Sequence, residues 1–315
     1  MRNAFMRALE ELAENNRSVF FVTGDLGFGV VEPFAARFPD RFLNAGVAEQ
    51  NMTGVATGLA LSGLTVFTYS IANFPTLRCL EQIRNDVCYH RANVKIVSIG
   101  GGLAYGALGY SHHALEDLAI MRTLPNLIVV APGDPVEADL ATRALAAHDG
   151  PAYLRLGKAG EPICHELAPP FELGRAILVK DGGDVTVIST GAMLRTALDI
   201  SADLNTEGIN ARVLSMHTLK PIDAEAIISA ATETSLVVTL EEHSLTGGLG
   251  SAVAEVLTDA CLRGPILRLG IPPDEATYDV GSQHFLRSRH GLSRAAAGAR
   301  IRQFLADRVL RAPAT

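Results

Sequence analysis

Phe-Leu-Asn-Ala-Gly-Val-Ala-Glu-Gln-Asn-Met-Thr-Gly-Val-Ala-Thr-Gly-Leu-Ala-Leu-Ser-Gly, residues 42–63, runs from a loop into a helix of small residues and carries one charge, Glu49. Val47, Thr53, Gly54, Ala56, Gly58 and Ala60 populate the helical period, so most of this helix is expected to be buried. Gly54 and Gly58 leave a groove in which another backbone can approach closely. A carboxylate in a first helical turn gains from the helix dipole. A buried one needs a proton, a counter-ion or specific hydrogen bonds. What the rest of the chain brings beside Glu49 decides between these readings.

On both sides of this stretch, apolar strands alternate with helices. Strands are predicted at 18–22, 64–69, 94–99, 127–131 and 153–156, with helices at 2–15, 75–89, 115–123 and 136–147. Asp134 follows Pro132-Gly133 and is placed to cap the last of these helices. Continuously apolar strands separated by helices indicate a parallel sheet covered on both faces. Ligands of such sheets lie beyond the carboxyl ends of the strands. That rule puts Asp25, Glu49, the region from Ser70 to Phe74 and the glycine-rich loop ending in Ser111-His112-His113 on one rim. The convergence favours a functional Glu49. The glycines at 24, 27 and 29 match neither GxGxxG nor a phosphate loop, and read as a close-approach turn.

Pro169-Pro170 and Asp181-Gly182-Gly183 mark residues 158–183 as a linker between a first domain (1–157) and a second α/β domain (184–315). Strands are predicted there at 185–189, 211–215, 236–240 and 266–269, with helices at 193–206, 223–232 and 248–262. The run Glu-Glu-His-Ser-Leu-Thr-Gly-Gly-Leu-Gly-Ser (241–251) opens a helix, either as an anion site or as a tight turn, with the turn favoured. Arg294, Arg300, Arg302 and Arg308 form the polar face of a terminal helix.

Composition narrows the class. The 315 residues carry a formal charge of −7 with no basic cluster, which argues against nucleic acid. No apolar run is long enough to span a bilayer, and the N-terminal helix has neither signal- nor transit-peptide character. Cys79, Cys88, Cys164 and Cys261 are scattered without a CxxC pair, which argues against zinc or a disulfide framework. A cytoplasmic protein is the expectation, with no metal ligands of its own.

The residues also carry a family resemblance. Asn-Ala-Gly-Val-Ala-Glu-Gln-Asn-Met (44–52), Phe74 with Glu-Gln-Ile-Arg-Asn (81–85), Gly-Tyr-Ser-His-His-Ala-Leu-Glu-Asp-Leu (109–118), Leu-Pro-Asn-Leu (124–127) and Pro-Gly-Asp (132–134) resemble the pyrimidine-binding domain of transketolases. Thr-Leu-Lys-Pro-Ile-Asp (218–223) and the Glu-Glu-His run resemble their C-terminal domain, so the likeness covers essentially the whole chain. It is strongest to the smaller subunit of split, two-chain transketolases.

The resemblance implies thiamine diphosphate and Mg²⁺ as cofactors. The cofactor brings the carbanion chemistry and the protein brings binding and electrostatics. In such enzymes a glutamate hydrogen-bonds the aminopyrimidine N1′ and favours the tautomer that deprotonates the thiazolium C2; Glu49 stands at that position. Phe74 matches the aromatic platform, Ile71 replaces a neighbouring aromatic, and Asp25 joins the cofactor rim. His112 matches the histidine that meets the donor, with His113 where glutamine is common. Arg2, Lys158 and Arg155 fall near basic substrate-binding positions.

Departures are equally specific. Gly-Asp-Gly, which opens the diphosphate and metal site of the family, is missing from the sequence. An obligatory partner chain is therefore expected to hold that half, in an α2β2 heterotetramer. Leu108 replaces an acid four residues before His112, and Gly29 and Gly100 replace polar sugar-binding residues, which points to an unusual substrate. The expected activity is transfer of a two-carbon ketol, or an acyl, unit between sugars. The competing enzymes are a deoxyxylulose-phosphate-synthase-like subunit and a 2-oxo acid dehydrogenase of the β type. A non-catalytic partner of an active transketolase is the reading outside enzymes.

Overall fold

The alternation of apolar strands and helices produces two sheets. The computed structural model describes residues 1–273 and 278–311, with side chains to residue 307. In chain order the first part comprises α1 (Arg2–Asn15), β1 (Val19–Thr23), α2 (Glu32–Arg37), β2 (Phe42–Asn44), α3 (Glu49–Leu61), β3 (Thr65–Ile71), α4 (Leu80–Gln82), β4 (Val94–Ile99), α5 (Asp117–Thr123), β5 (Ile128–Val130), α6 (Pro135–Ala147) and β6 (Ala152–Leu156). The second part comprises β7 (Ile177–Lys180), β8 (Val185–Ser189), α7 (Leu194–Thr206), β9 (Ala211–Ser215), β10 (Thr218–Lys220), α8 (Ala224–Glu233), β11 (Leu236–Ser244), α9 (Leu249–Asp259), β12 (Ile266–Ile271), α10 (Gln283–Arg289) and α11 (Arg294–Arg311).

The first sheet has the order β10-β5-β6-β4-β3-β1-β2 and is parallel except for β10. The second has the order β12-β11-β8-β9-β7 and is parallel except for β7. Both match the expected α/β class with mainly parallel sheets. Two edge strands depart from the sequence reading. Ile177–Lys180, inside the span read as linker, pairs with β9, so the connection ends earlier than residue 183. Thr218–Lys220 crosses back to the first sheet. Each is three or four residues long and too short for a period-two pattern to stand out. The segment read as a helix over 75–89 is a 3₁₀ turn, then α4, then a π-helical Ile83–Cys88.

The core does not stop at the domain boundary. One apolar cluster runs from Val22, Met52 and Ile83 through Met121 and Leu127 to Met216, Leu219, Ile227 and Val253. Each such fully buried side chain contributes roughly 1.5–3 kcal/mol. Polar contacts reinforce the seam: Arg122 of α5 donates to the Gly247 carbonyl at 2.6 Å and Glu255 at 2.6 Å. Asp134 caps α6 by accepting the Glu137 N–H at 2.8 Å, as the turn predicted. It also accepts the backbone N–H groups of Cys164 and His165 at 2.7 and 3.2 Å, which ties the linker down. Arg294 and Arg302 of α11 pair with Asp203 and Glu207, while Arg300 is exposed; the Arg308 side chain lies outside the described residues. All four cysteines are free, and no described helix is long and apolar enough to cross a membrane.

Candidate active site

Parallel register brings the carboxyl ends of β1, β3, β4 and β6 to one rim: Thr23 pairs with Tyr69, Ile71 with Ile99, and Ile99 with Leu156. Chain reversal there is tight. Gly24 donates its N–H to the Tyr69 carbonyl at 3.2 Å, and a Cβ on Gly24 would lie 3.4 Å from Glu49 Cγ. The glycine turn after β1 thus lets β1 pass close to Glu49, the first residue of α3.

Glu49 is 1% exposed. Ser70 Oγ, at the end of β3, donates to its Oε1 at 3.1 Å, and Arg78 Nη1 donates to its Oε2 at 2.8 Å. The buried carboxylate is therefore partnered on both oxygens, as its burial requires. The Arg78 guanidinium also lies 4.9 Å from the Phe74 ring centre, a cation–π contact. Phe74 meets the His112 ring edge-on at 5.2 Å, and Ser111 Oγ lies 3.0 Å from His112 Nδ1. Asn73 Nδ2 clasps the loop by donating to the carbonyl oxygens of Ser111 (3.3 Å) and His113, on either side of His112. Tyr105 fills the space above Gly100, whose φ is +84°, and stands 6.3 Å from His112. Lys158 Nζ lies 4.9 Å over Tyr105. The Tyr69 hydroxyl is pushed up by burial, against the pull of the nearby Arg2 charge. Burial likewise raises Tyr105, again opposed by Arg2.

Glu49, Phe74, His112, Lys158 and Arg2 therefore form one arc, joined by Arg78 and Tyr105. Ile71 ends β3, half-buried, where the chain turns toward Asn73 and Phe74. Two expected residues stand elsewhere, and a third, Asp25, is engaged at the rim by Asn44. Arg155 is 5% exposed and donates to Asp117 Oδ2 at 2.8 Å and to the carbonyls of Ala114 (2.7 Å) and Glu242 (3.0 Å), so it holds the domain seam rather than facing a substrate. His113 is 1% exposed beneath the loop, its Nε2 3.4 Å from the Gly106 carbonyl, and burial lowers its pKa. Asp25 accepts Asn44 Nδ2 at 2.8 Å and orders the approach to α3.

Arg78, Asn73 and Tyr105 escaped the sequence reading. Arg78 lies four residues beyond Phe74, a spacing that can put two side chains together on a helix. Asn73 and Tyr105 sit in loops, where no periodicity announces them. The Glu-Glu-His run proves to be the tight turn: Leu249 and Gly250 donate their N–H groups to Glu241 at 2.6 and 2.8 Å, so an internal carboxylate fills the helix N-terminus. Burial raises Glu241 to about 7. Asp134, Glu137 and His165 are close enough to hold a cation, but their oxygens accept backbone N–H groups and Ser215 Oγ, and His165 Nε2 lies 2.8 Å from Glu137.

A mainly parallel sheet with a buried carboxylate, an aromatic ring and a histidine on its carboxyl rim, followed by a smaller α/β domain, is the architecture expected of a two-domain α/β chain of the family that the sequence resembles. The chain belongs to the transketolase family: residues 1–160 match the transketolase pyrimidine binding domain and residues 174–296 the transketolase C-terminal domain. It is 39% identical to one of the subunits of the apulose-4-phosphate transketolase of Phocaeicola vulgatus, over 93% of each chain. It is 37% identical to the 6-deoxy-6-sulfo-D-fructose transketolase subunit SqwH of a Clostridium species, over 93% of this chain and 90% of that one. A solved split-gene transketolase, described as an inactive beta4 tetramer, superposes with a TM-score of 0.86 at 40% identity over 96% of each chain. The family resemblance read from residues 44–52 and 109–118 is thereby confirmed.

Proposed function

We propose that this chain is the pyrimidine-binding subunit of a two-chain, thiamine-diphosphate-dependent transketolase that moves a two-carbon ketol unit between anionic sugars. The observation that carries this reading is Glu49, buried at the rim, hydrogen-bonded through Ser70 and reachable past a half-exposed Arg78. When bound, the cofactor supplies carbanion chemistry at its thiazolium ring. Glu49 would hold the proton at the pyrimidine, Phe74 would support the ring, and His112 would face the donor. The residues present fit the pyrimidine half of thiamine diphosphate. They do not fit its diphosphate and Mg²⁺, because among the described residues the acidic cluster with metal-ligand spacing lies at the linker, its oxygens already hydrogen-bonded.

The outer face of α3 supports a partner chain. Val47 and Leu61 are 74% and 61% exposed, and nothing lies within 4 Å of a Cβ built on Gly54 or Gly58. The expected groove is open within this chain. A diphosphate-binding subunit seated there would complete the site beside Glu49, with α2β2 as the assembly. Arg2, Arg78 and Lys158 make the rim cationic, which suits an anionic sugar. The named substrates of the two relatives, a sugar phosphate and a sulfosugar, are of that kind.

Mixing the chain with a diphosphate-binding transketolase subunit from the same organism tests this. Thiamine diphosphate should bind the mixture and neither chain alone. Glycolaldehyde transfer should occur from ketose phosphates or sulfoketoses, with pyruvate as the comparison donor. Cofactor binding by this chain alone would refute the shared site, and turnover of pyruvate in preference to ketoses would refute ketol transfer.

A further inference from the structure

The second domain reaches the rim of the first most directly through a buried carboxylate. Glu242, in β11, is 3% exposed. Its Oε1 accepts the Leu103 N–H at 2.6 Å, inside the glycine-rich loop, and Gln283 Nε2 at 2.8 Å. Its Oε2 accepts Arg287 Nε at 2.7 Å. The loop is shaped to receive this contact. Gly102 has φ +69°, and a Cβ there would stand 2.7 Å from Glu242 Cγ. A Cβ on Gly106 would meet Leu286 Cδ1 at 2.5 Å, and the Gly106 carbonyl accepts the Gly281 N–H at 3.2 Å. Two of the glycines therefore admit the second domain.

The grip on Leu103 extends to the far end of the loop. Gly102 and Ala114 exchange both backbone hydrogen bonds, at 3.0 and 2.9 Å, so the loop is closed beside Leu103. Within the closed segment stand Tyr105 and His112, the latter against Phe74. Hydrogen bonds to an ionised carboxylate are shorter and stronger than neutral ones, and they fix geometry as well as adding energy.

We propose that Glu242 is a positioning residue: through Leu103 the second domain sets where Tyr105 and His112 stand over the site. This rests on reading the rim as the active site. A reacting geometry displaced by about 1 Å loses rate on the order of 100-fold, which is the effect to look for.

The test uses Glu242→Ala, Glu242→Gln, Arg287→Met and, as control, Arg122→Ala. Arg122 crosses the same seam but touches Gly247 and Glu255 rather than the loop. Amide exchange is measured on the chain alone. Thiamine diphosphate affinity and CO₂ release from hydroxypyruvate, a small ketol donor, are measured on the complex with the diphosphate-binding subunit. Glu242→Ala should speed exchange of Leu103 and residues 105–113 by about ten- to a hundredfold, the factor lost with a hydrogen bond to a charged group. The β3 and β4 amides should keep their protection. kcat should fall on the order of 100-fold with unchanged cofactor affinity. Glu242→Gln keeps an acceptor for Leu103 and should recover most of the rate, while Arg122→Ala should lower Tm and leave kcat alone. If Glu242→Ala does not fold, Arg287→Met, which loosens the carboxylate and retains it, should show the same pattern at smaller amplitude. A loop that stays protected, a loosened loop with full kcat, or an equal loss of kcat in Arg122→Ala would each overturn the proposal. If the wild-type complex leaves both hydroxypyruvate and ketoses unturned, the active-site reading fails instead, and the exchange data still decide whether Glu242 holds the loop.

Discussion

Glu49→Gln changes one oxygen of the buried carboxylate to an amide nitrogen and separates the residue's structural and chemical roles. Ser70 can still donate to the remaining oxygen, as it now does at 3.1 Å. The ionic contact with Arg78, at 2.8 Å, is lost. Breaking a fully buried pair costs about 3–5 kcal/mol, and an exposed pair about 0–1 kcal/mol. Arg78 is 48% exposed, so its charge returns to water readily and the loss falls near the lower figure. Removing the charge from a 1% exposed carboxylate offsets part of that loss. The net change should stay within about 1 kcal/mol, or roughly 1–2 °C in Tm for a chain of 315 residues. The chemical effect should be far larger. Loss of a positioned acid–base group costs about 10²–10⁴ in rate. Hydrogen–deuterium exchange at the thiazolium C2, followed by NMR in the two-chain complex, isolates that step from sugar binding. Calorimetry on the same sample checks that cofactor still binds. A variant that folds, binds cofactor and exchanges C2 at the wild-type rate would refute the role assigned to Glu49.

Three further outcomes follow from the same geometry. Asn73→Ala releases the Ser111 and His113 carbonyls, and should lower kcat by about tenfold or more through displacement of His112 while leaving cofactor affinity alone; steady-state kinetics would show it. Lys158→Ala removes an exposed cation from the rim, and should raise KM for an anionic donor, with an effect that shrinks as salt is added. His243 is held down to about 4 by burial, beside Asp117, Glu241 and Arg155. The unfolded chain takes up that proton near pH 6.5, so this contribution is present above 6.5 and is lost as pH falls toward 4, by up to about 3 kcal/mol. Because Glu241 titrates the opposite way, the comparison is with His243→Gln. The Tm advantage of the wild type over the variant should narrow between pH 7 and 5, and a constant difference would count against the assignment.

Strands and helices with a full apolar pattern were legible from the sequence, and so was the rim they share. β4, β8 and β9 fall where apolar runs place them, because a strand buried on both faces needs no partner information to be recognised. That Glu49, Phe74 and His112 share one rim was legible because strand-end geometry and family resemblance both place them there. Arg155 was not. Its nearness to basic substrate-binding positions of the family suggested a ligand, but its position between Asp117 and Glu242 depends on how two distant segments pack. The same holds for β10, whose pairing with β5 no local pattern encodes.

Glycine shows most clearly what a linear reading lacks. Three glycine-rich segments stand out in the sequence, and the structure gives each a different neighbour. Gly24 admits Glu49, Gly102 admits Glu242, and Gly248 lies against Glu241. In all three the close-approaching group is a carboxylate of the chain itself, not a phosphate. Gly54 and Gly58 differ: nothing lies within 4 Å of a Cβ built at either position. Gly102 and Gly248 need glycine to let this chain pack on itself, whereas a Cβ on Gly24 would make ordinary contact with Glu49. Gly54 and Gly58 are left without an internal reason, and they lie on the helix that begins at Glu49. That face of the helix is where the proposed partner chain would sit, which is why reconstitution with a diphosphate-binding subunit is the decisive experiment on the proposed function.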